Sequence, residues 1–75
     1  MTKSGTQLLN EHQQRGNTIY YEEYHCTGHT VNTPQYGCRV WVNGNCEGTA
    51  NNRASKQKAK EAAALNAAES LLLIG

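Results

Sequence analysis

The stretch that most constrains the fold spans residues 55–64, S-K-Q-K-A-K-E-A-A-A, and predicts the start of a long alanine-rich helix. Ser55 suits the N-cap because its side-chain oxygen can accept a backbone N–H that a helix start leaves unpaired. Apolar residues, most of them small, then recur at steps of three and four: Ala59, Ala63, Ala67, Leu71 and Ile74. Such a stripe predicts a helix that runs toward Ile74 and lies flat on a sheet.

Cations crowd the first turns of this helix. Lys56, Lys58 and Lys60 sit where the positive end of the helix dipole makes a cation mildly unfavourable. Arg53 lies just upstream, so four of the seven Lys and Arg residues fall within residues 53–60. Two interpretations are open: a solvated helix start, or a helix terminus that binds phosphate. Because the net charge is only +1, affinity for a polyanion would depend on where the charges lie.

Length and composition favour one small intracellular domain. The chain has 75 residues, close to the size at which a single core is just sufficient. No apolar run approaches the roughly 20 residues that cross a bilayer, and the N-terminus M-T-K-S-G-T lacks the apolar stretch of a signal peptide. Three cysteines, Cys26, Cys38 and Cys46, are too few for a disulfide scaffold, so we expect reduced thiols.

The N-terminal part predicts a tail followed by a short helix. We expect residues 1–5 to be a disordered tail and residues 6–75 to form the domain. T-Q-L-L-N-E-H-Q-Q-R-G begins a helix at Thr6, capped by Thr6 or Ser4 and stopped by Gly16. The predicted inward residues are Leu8, Leu9 and His12. Three polar residues share one exposed stripe, which is also ordinary for a solvated helix: Gln7, Glu11 and Gln14.

Three strands are predicted between the helices. Residues 17–26 suit an edge strand or a bulged one, because neither face is cleanly apolar. Residues 36–42 alternate cleanly, with Tyr36, Cys38, Val40 and Val42 toward the core. Asn43-Gly44 predicts a tight hairpin into a third strand over 45–50, and 27–35 form a long loop. The predicted fold class is α+β, in the order α-β-β-β-α, with both helices on one face of a three-stranded antiparallel sheet.

These segments resemble the double-stranded RNA-binding domain family. L-L-N-E in the first helix, Y-G-C-R-V-W-V-N-G through the second strand and turn, and S-K-Q-K-A-K-E-A-A at the last helix follow the family's order and spacing. The resemblance runs from about residue 6 to residue 72. It implies a non-catalytic module that binds double-stranded RNA independently of sequence, with neither cofactor nor metal.

The resemblance implies RNA contacts in three regions. The first-helix stripe would reach 2′-hydroxyls in one minor groove, the loop would enter the next minor groove, and the last-helix lysines would contact the phosphates between them. This division suits A-form RNA, whose minor groove is wide and shallow. The carboxylate of Glu11 can accept a hydrogen bond from a 2′-hydroxyl, a group that DNA lacks. The candidate contacts are Gln7, Glu11, Gln14, His29, Asn32, Arg53, Lys56, Gln57, Lys58 and Lys60.

The chain departs from the family's pattern in two regions. The loop lacks the family's Gly-Pro-x-His element, so the loop contact is either His29 or Asn32, and both stay open. Gln57 replaces the family's middle lysine, and Lys58, about 100° further around the helix, is expected to compensate in part. If only Lys56 and Lys60 contact phosphate, the logarithmic salt dependence of binding should have a slope near −2, by the coefficient of about 0.9 per phosphate for duplex DNA.

Other functions stay open. A structural zinc site needs four ligands, and the candidates are His25, Cys26, His29, Cys38 and Cys46; no C-x-x-C pair is present. A thiol nucleophile at Cys26 with His25 or His29 lacks a third orienting group. Tyr20, Tyr24 and Trp41 offer an aromatic surface for single strands or for a protein.

The main interpretation is an accessory module of an RNA-processing or RNA-silencing protein, such as a ribonuclease III or Dicer-type enzyme, in the cytoplasm or nucleus. The alternative is a protein-interaction or homodimerisation module with weak RNA binding, which would use the exposed sheet face or the last helix. Neither interpretation involves a membrane. The sequence leaves open the parent protein, the natural RNA and the oligomeric state.

Overall fold

The fold is a three-stranded antiparallel sheet with two helices, in a computed structural model that describes residues 3–26 and 35–73. The elements, in chain order, are α1 (Gly5–Gln14), β1 (Ile19–Cys26), β2 (Gln35–Val42), β3 (Asn45–Arg53) and α2 (Lys56–Ser70). The strands lie in the order β1-β2-β3. This arrangement confirms the α+β class and the element order predicted from the sequence.

Helix α1 begins one residue earlier than its pattern indicates. Ser4 is the N-cap, and its Oγ accepts the N–H of Gln7 at 3.2 Å. Gly5 is the first helical residue and is buried. Residues 4 and 5, which the sequence assigned to the tail, are therefore part of the folded helix start. At the other end, Gly16 has a φ of +104°, which suits a glycine that terminates a helix.

The sequence predicts that helix α2 runs toward Ile74, but the helix ends at Ser70. The backbone N–H of Leu71 returns to the carbonyl of Ala67 at 2.9 Å. Leu72 then takes a φ of +59°, a left-handed conformation that an α-helix cannot continue through. Of the helices in the described ranges, neither has the length and apolar character needed to cross a membrane.

The sheet differs from prediction mainly in β3, which is longer than the expected 45–50. Arg53 pairs with Tyr36 and Ala50 with Cys38, with register shifts between Tyr36 and Cys38 and between Val40 and Trp41. These shifts mark irregularities of the kind that let one strand run longer than its partner. Strand β1 is an edge strand, as its mixed faces indicated. The register shifts lie in the pairing of β2 with β3.

The turn between β2 and β3 agrees with its sequence signal. Asn43 and Gly44 have φ values of +52° and +87°, as a type I′ hairpin turn requires. The Asn43 side chain also accepts the N–H of Thr18 at 2.9 Å. The turn is thereby fixed to the chain segment that enters β1.

The core is small and built largely from alanines. The largest fully buried side chains are Leu9, Val40 and Cys38. Tyr36, Leu8 and His12, also predicted to point inward, are only partly buried. The α2 side of the core consists of Ala59, Ala63, Ala64, Ala67 and Ala68, all with 0% exposure. Because these side chains end at Cβ, α2 can approach the sheet closely.

Burial also determines the state of the Cys38 thiol. Removal from water raises its pKa, and the carboxylate of Glu23 acts in the same direction. The thiol therefore stays protonated at neutral pH and is a poor metal ligand or nucleophile. Within residues 3–26 and 35–73, no three His, Cys, Asp or Glu side chains gather as a metal-ligand set. His29 and the Cys26 side chain lie outside this description.

Candidate nucleic-acid interface

The predicted polar stripe of α1 points away from the core. Gln7 and Gln14 are exposed and Glu11 is partly buried. Leu9, about 200° around the helix from Gln7, has 0% exposure. The helix therefore places its apolar residue against the core and leaves the stripe accessible to a ligand.

Glu11 already has a cationic partner that the sequence did not indicate. Lys3 Nζ lies 2.9 Å from one carboxylate oxygen of Glu11 and 2.6 Å from the other. Both side chains are partly exposed, so the pair contributes little to stability. Its effect is on the local charge, because Lys3 offsets the negative charge of Glu11 on a surface predicted to meet a polyanion.

At the start of α2, the lysines divide between two sides of the helix. The predicted cap is confirmed, since Ser55 Oγ accepts the N–H of Lys58 at 3.1 Å. Lys56 is exposed, and Lys60, one turn later, is partly buried. Lys58 lies about 180° around the helix from the buried Ala67. Lys56 and Lys60 thus form a pair, and Lys58 points away from the sheet.

Lys60 extends over the edge strand. Its ammonium group lies 4.6 Å from the centroid of the Tyr21 ring, within the range of a cation–π interaction. Burial raises the pKa of the Tyr21 hydroxyl, with further contributions from Cys38 and Glu61. Lys60 also lines a depression of about 370 Å³, together with Thr6, Glu23, Gln57 and Glu61.

Lys56 lines a second depression, of about 300 Å³, with Glu23, Tyr24 and His25. The His25 ring contacts the Tyr36 ring at a tilt of 40°, with ring centroids 4.7 Å apart. Glu23 lines both depressions, so a carboxylate is shared between the surroundings of Lys56 and Lys60. The local positive charge is therefore smaller than the lysine count alone indicates.

Two of the three predicted contact regions adjoin each other. Thr6, next to Gln7 on α1, lines the same depression as Gln57 and Lys60 of α2. Arg53 is exposed at the end of β3, two residues before the Ser55 cap. His29 and Asn32, the candidates in the third region, lie outside the described residues, and their roles stay predictions.

The sequence did not identify four residues as part of this surface. They are Lys3, Thr6, Glu23 and Glu61. The contact between Thr6 and Glu61 joins positions 55 residues apart, a distance over which helical periodicity carries no signal. For Glu23 a signal was present, because strand parity places it on the same face of β1 as Tyr21.

Comparison with protein families identifies the domain. The model described as "Double-stranded RNA binding motif" matches residues 6–71, which include nearly all of the two helices and all three strands. Comparisons with curated proteins and with solved structures found no match to this chain. The family match agrees with the resemblance carried by the first helix, the hairpin and the lysine segment. The chain therefore belongs to the double-stranded RNA binding motif family, whose domain is a non-catalytic module that binds double-stranded RNA.

Proposed function

We propose that this domain recognises duplex RNA by its A-form shape, without reading base sequence. The observation that supports the proposal is the junction of α1 and α2, where Thr6, Gln57 and Lys60 line one depression. Hydrogen-bonding side chains of α1 and cations of α2 consequently lie on adjoining elements. Such a surface can combine 2′-hydroxyl contacts in a minor groove with phosphate contacts beside it.

The chemistry of the two helices favours RNA over DNA. A-form RNA displays 2′-hydroxyls in a wide, shallow minor groove and hides its base edges in a deep, narrow major groove. Amide and carboxylate groups at Gln7, Glu11 and Gln14 can bond to those hydroxyls. Lys56 and Lys60 would contact phosphates, which are common to every sequence.

Titration with matched duplexes tests the proposal. Fluorescence anisotropy would compare an RNA duplex of about 20 base pairs with a DNA duplex of the same sequence, since dsRNA-binding domains span about 16. We expect clear preference for RNA, equal affinity for RNA duplexes of different sequence, and a salt slope near −2 if two phosphates are contacted. Equal affinity for RNA and DNA would refute shape recognition.

The substitution Glu11→Ala should reduce the preference for RNA more than it reduces binding in general. Loss of a hydrogen bond to a charged group costs about 1.5 kcal/mol or more, so RNA affinity should fall about tenfold. DNA affinity should be unchanged or rise, because a carboxylate near phosphates is removed. Glu69→Ala, an exposed change of the same charge at the far end of α2, is the control. An equal loss on both duplexes would contradict a role for Glu11 in 2′-hydroxyl recognition.

The domain's place in a larger system is part of the same proposal. A non-catalytic duplex binder without sequence preference supplies affinity to a process whose chemistry lies elsewhere. We infer that it serves as an accessory module in RNA processing or RNA silencing, in the cytoplasm or nucleus. Co-purification of a ribonuclease or of an RNA-silencing protein with the full-length protein, resistant to nuclease treatment, is the expected result.

A second candidate function is association with a protein through the outer face of the sheet. A groove of about 450 Å³ crosses that face, lined by Thr18, Tyr20, Glu22, Trp41 and Gly44. Tyr20 is 61% exposed, and Trp41 Nε1 donates to Glu22 at 3.2 Å. If the titration detects no duplex binding and sedimentation shows a dimer or a stable complex, this function replaces the first.

A further inference from the structure

Glu61 joins the start of α1 to the second turn of α2. The N–H of Gly5 donates to Oε1 of Glu61 at 2.5 Å, and the hydroxyl of Thr6 donates to Oε2 at 2.8 Å. The first turn of α1 has no acidic residue of its own. Glu61 therefore supplies, from another helix, the negative charge that a helix N-terminus favours, and it satisfies one of the donors left unpaired there.

Gly5 shows how closely the helices approach at this point. A Cβ added to Gly5 would lie 2.4 Å from the backbone nitrogen of Leu65 and 2.7 Å from the carbonyl carbon of Ala64. These are backbone atoms of α2, which cannot rotate away as a side chain can. The start of α1 thus rests directly on the backbone of α2, and the hydrogen bonds to Glu61 hold it there.

The attachment lies between the two predicted RNA-contacting groups. Glu61 follows Lys60 in α2 and lines the same depression as Lys60 and Gln57. On the α1 side it holds Gly5 and Thr6, which directly precede Gln7. A shift of α1 against α2 would therefore change the distance between the polar stripe and the lysine pair.

We propose that Glu61 is a positioning residue for duplex recognition, which fixes the α1 stripe relative to Lys56 and Lys60 so that both engage one duplex at once. The inference rests on the proposed function. Two weak contact regions gain affinity by acting together only if their spacing permits simultaneous engagement. Glu61 contributes through that spacing and makes no contact with RNA itself.

Two substitutions distinguish the effect of the position of α1 from the effect of the negative charge of Glu61. In Glu61→Gln the amide oxygen can accept from Gly5, and the amide N–H can donate to the Thr6 hydroxyl, which also accepts. Glu61→Ala removes both bonds. Each substitution removes one negative charge beside Lys60, which alone should raise affinity for a polyanion. If Glu61→Ala binds RNA more weakly than Glu61→Gln, the difference therefore measures the loss of the fixed position of α1 relative to α2.

The measurement uses two RNA hairpins. One has a stem of about 20 base pairs, which exceeds the roughly 16 that such domains span with three contact regions, and the other has a stem of about five, roughly the share of one region. On the long stem, Glu61→Gln should bind at least as tightly as the wild type. Glu61→Ala should bind about tenfold more weakly than Glu61→Gln, because a displaced α1 stripe would lose a contact to the duplex worth about one hydrogen bond to a charged group. On the short stem, which cannot occupy both regions, the two variants should bind alike.

Circular dichroism at the assay temperature checks that each variant is folded. If Glu61→Ala does not fold, Thr6→Val removes one of the two bonds and should give a smaller loss with the same dependence on stem length. Equal affinities of the alanine and glutamine variants on the long stem would overturn the inference and leave the proposed function intact. An equal loss of affinity by Glu61→Ala on both stems would also overturn the inference and leave the proposed function intact. A wild-type protein that shows no preference for RNA over DNA would instead overturn the proposed function, and this inference with it.

Discussion

Replacing Lys56 and Lys60 together by alanine should lower the affinity for duplex RNA about a hundredfold. Each ammonium group that contacts a phosphate is expected to contribute about 1.5 kcal/mol or more, as for hydrogen bonds to charged groups, and about 1.4 kcal/mol corresponds to a factor of ten. The two lysines lie one turn apart on the same side of α2, so they can contact neighbouring phosphates. The loss should be similar on RNA of any sequence, because phosphates carry no sequence information.

The salt dependence provides the sharper measurement. Removing two phosphate contacts should reduce the magnitude of the logarithmic salt slope by about 1.8, at roughly 0.9 per phosphate. Arg39→Ala is a control for the loss of a surface cation, because Arg39 is exposed on the outer face of the sheet, where it pairs with Glu22 at 3.4 Å. It removes one charge without touching the helices and should leave the slope almost unchanged. An unaltered slope in the double variant would show that these lysines do not meet phosphates.

Lys58→Ala tests whether Lys58 compensates for Gln57. Lys58 lies on the side of α2 away from the sheet, opposite the lysine pair. Removing it should therefore cost less affinity than removing either Lys56 or Lys60. Because Lys60 also lies over Tyr21 at 4.6 Å, its loss should cost the fold about 0.5–1 kcal/mol, and thermal unfolding of each variant separates this effect from binding.

Carboxylates near the lysine pair limit the affinity that its phosphate contacts can supply. Glu23 lines the depressions of both Lys56 and Lys60, and Glu61 lines that of Lys60. Two carboxylates in this small area reduce the positive potential that an approaching phosphate meets. The domain then depends on joint engagement of both helices, which is why the relative position of α1 and α2 matters.

Local signals in the sequence were sufficient for most of the architecture. Ser55 has the chemistry of a cap, Asn43-Gly44 has the conformational freedom of a tight turn, and the alternation around Val40 gives the buried face of β2. Each of these signals acts within a few residues, so the sequence alone can carry it. They fixed the element order and the position of the lysine segment.

The parts that could not be predicted depend on contacts between distant segments. Glu61 gains its role only when α1 rests on α2, and Lys3 pairs with Glu11, which lies eight residues further along the chain. The extra length of β3 depends on how it pairs with β2 and cannot be read from β3 itself. The choice between His29 and Asn32 stays a prediction.

Gly48 is the clearest residue whose role depends on a contact between distant segments. The substitution Gly48→Ala should destabilise the fold by about 3 kcal/mol, at the upper end of the usual cost of overpacking. A Cβ at this position would lie 2.4 Å from the carbonyl oxygen of Ala63 and 2.5 Å from the backbone nitrogen of Ala67. Because both atoms belong to the α2 backbone, the whole helix would have to move off β3. The alanine stripe could then no longer pack against the sheet.

Thermal unfolding followed by circular dichroism measures this effect. For a domain of this size about 1 kcal/mol shifts the melting temperature by roughly 4–8 °C, so Gly48→Ala should melt at least about 12 °C lower. Gly44→Ala is the matched control, since a Cβ there meets nothing within 4 Å and adds only the cost of a left-handed φ, about 1–2 kcal/mol. If Gly48→Ala proved no more destabilising than Gly44→Ala, α2 could not be packed on β3 as closely as described, and the spacing between the lysine pair and α1 would have to be reconsidered as well.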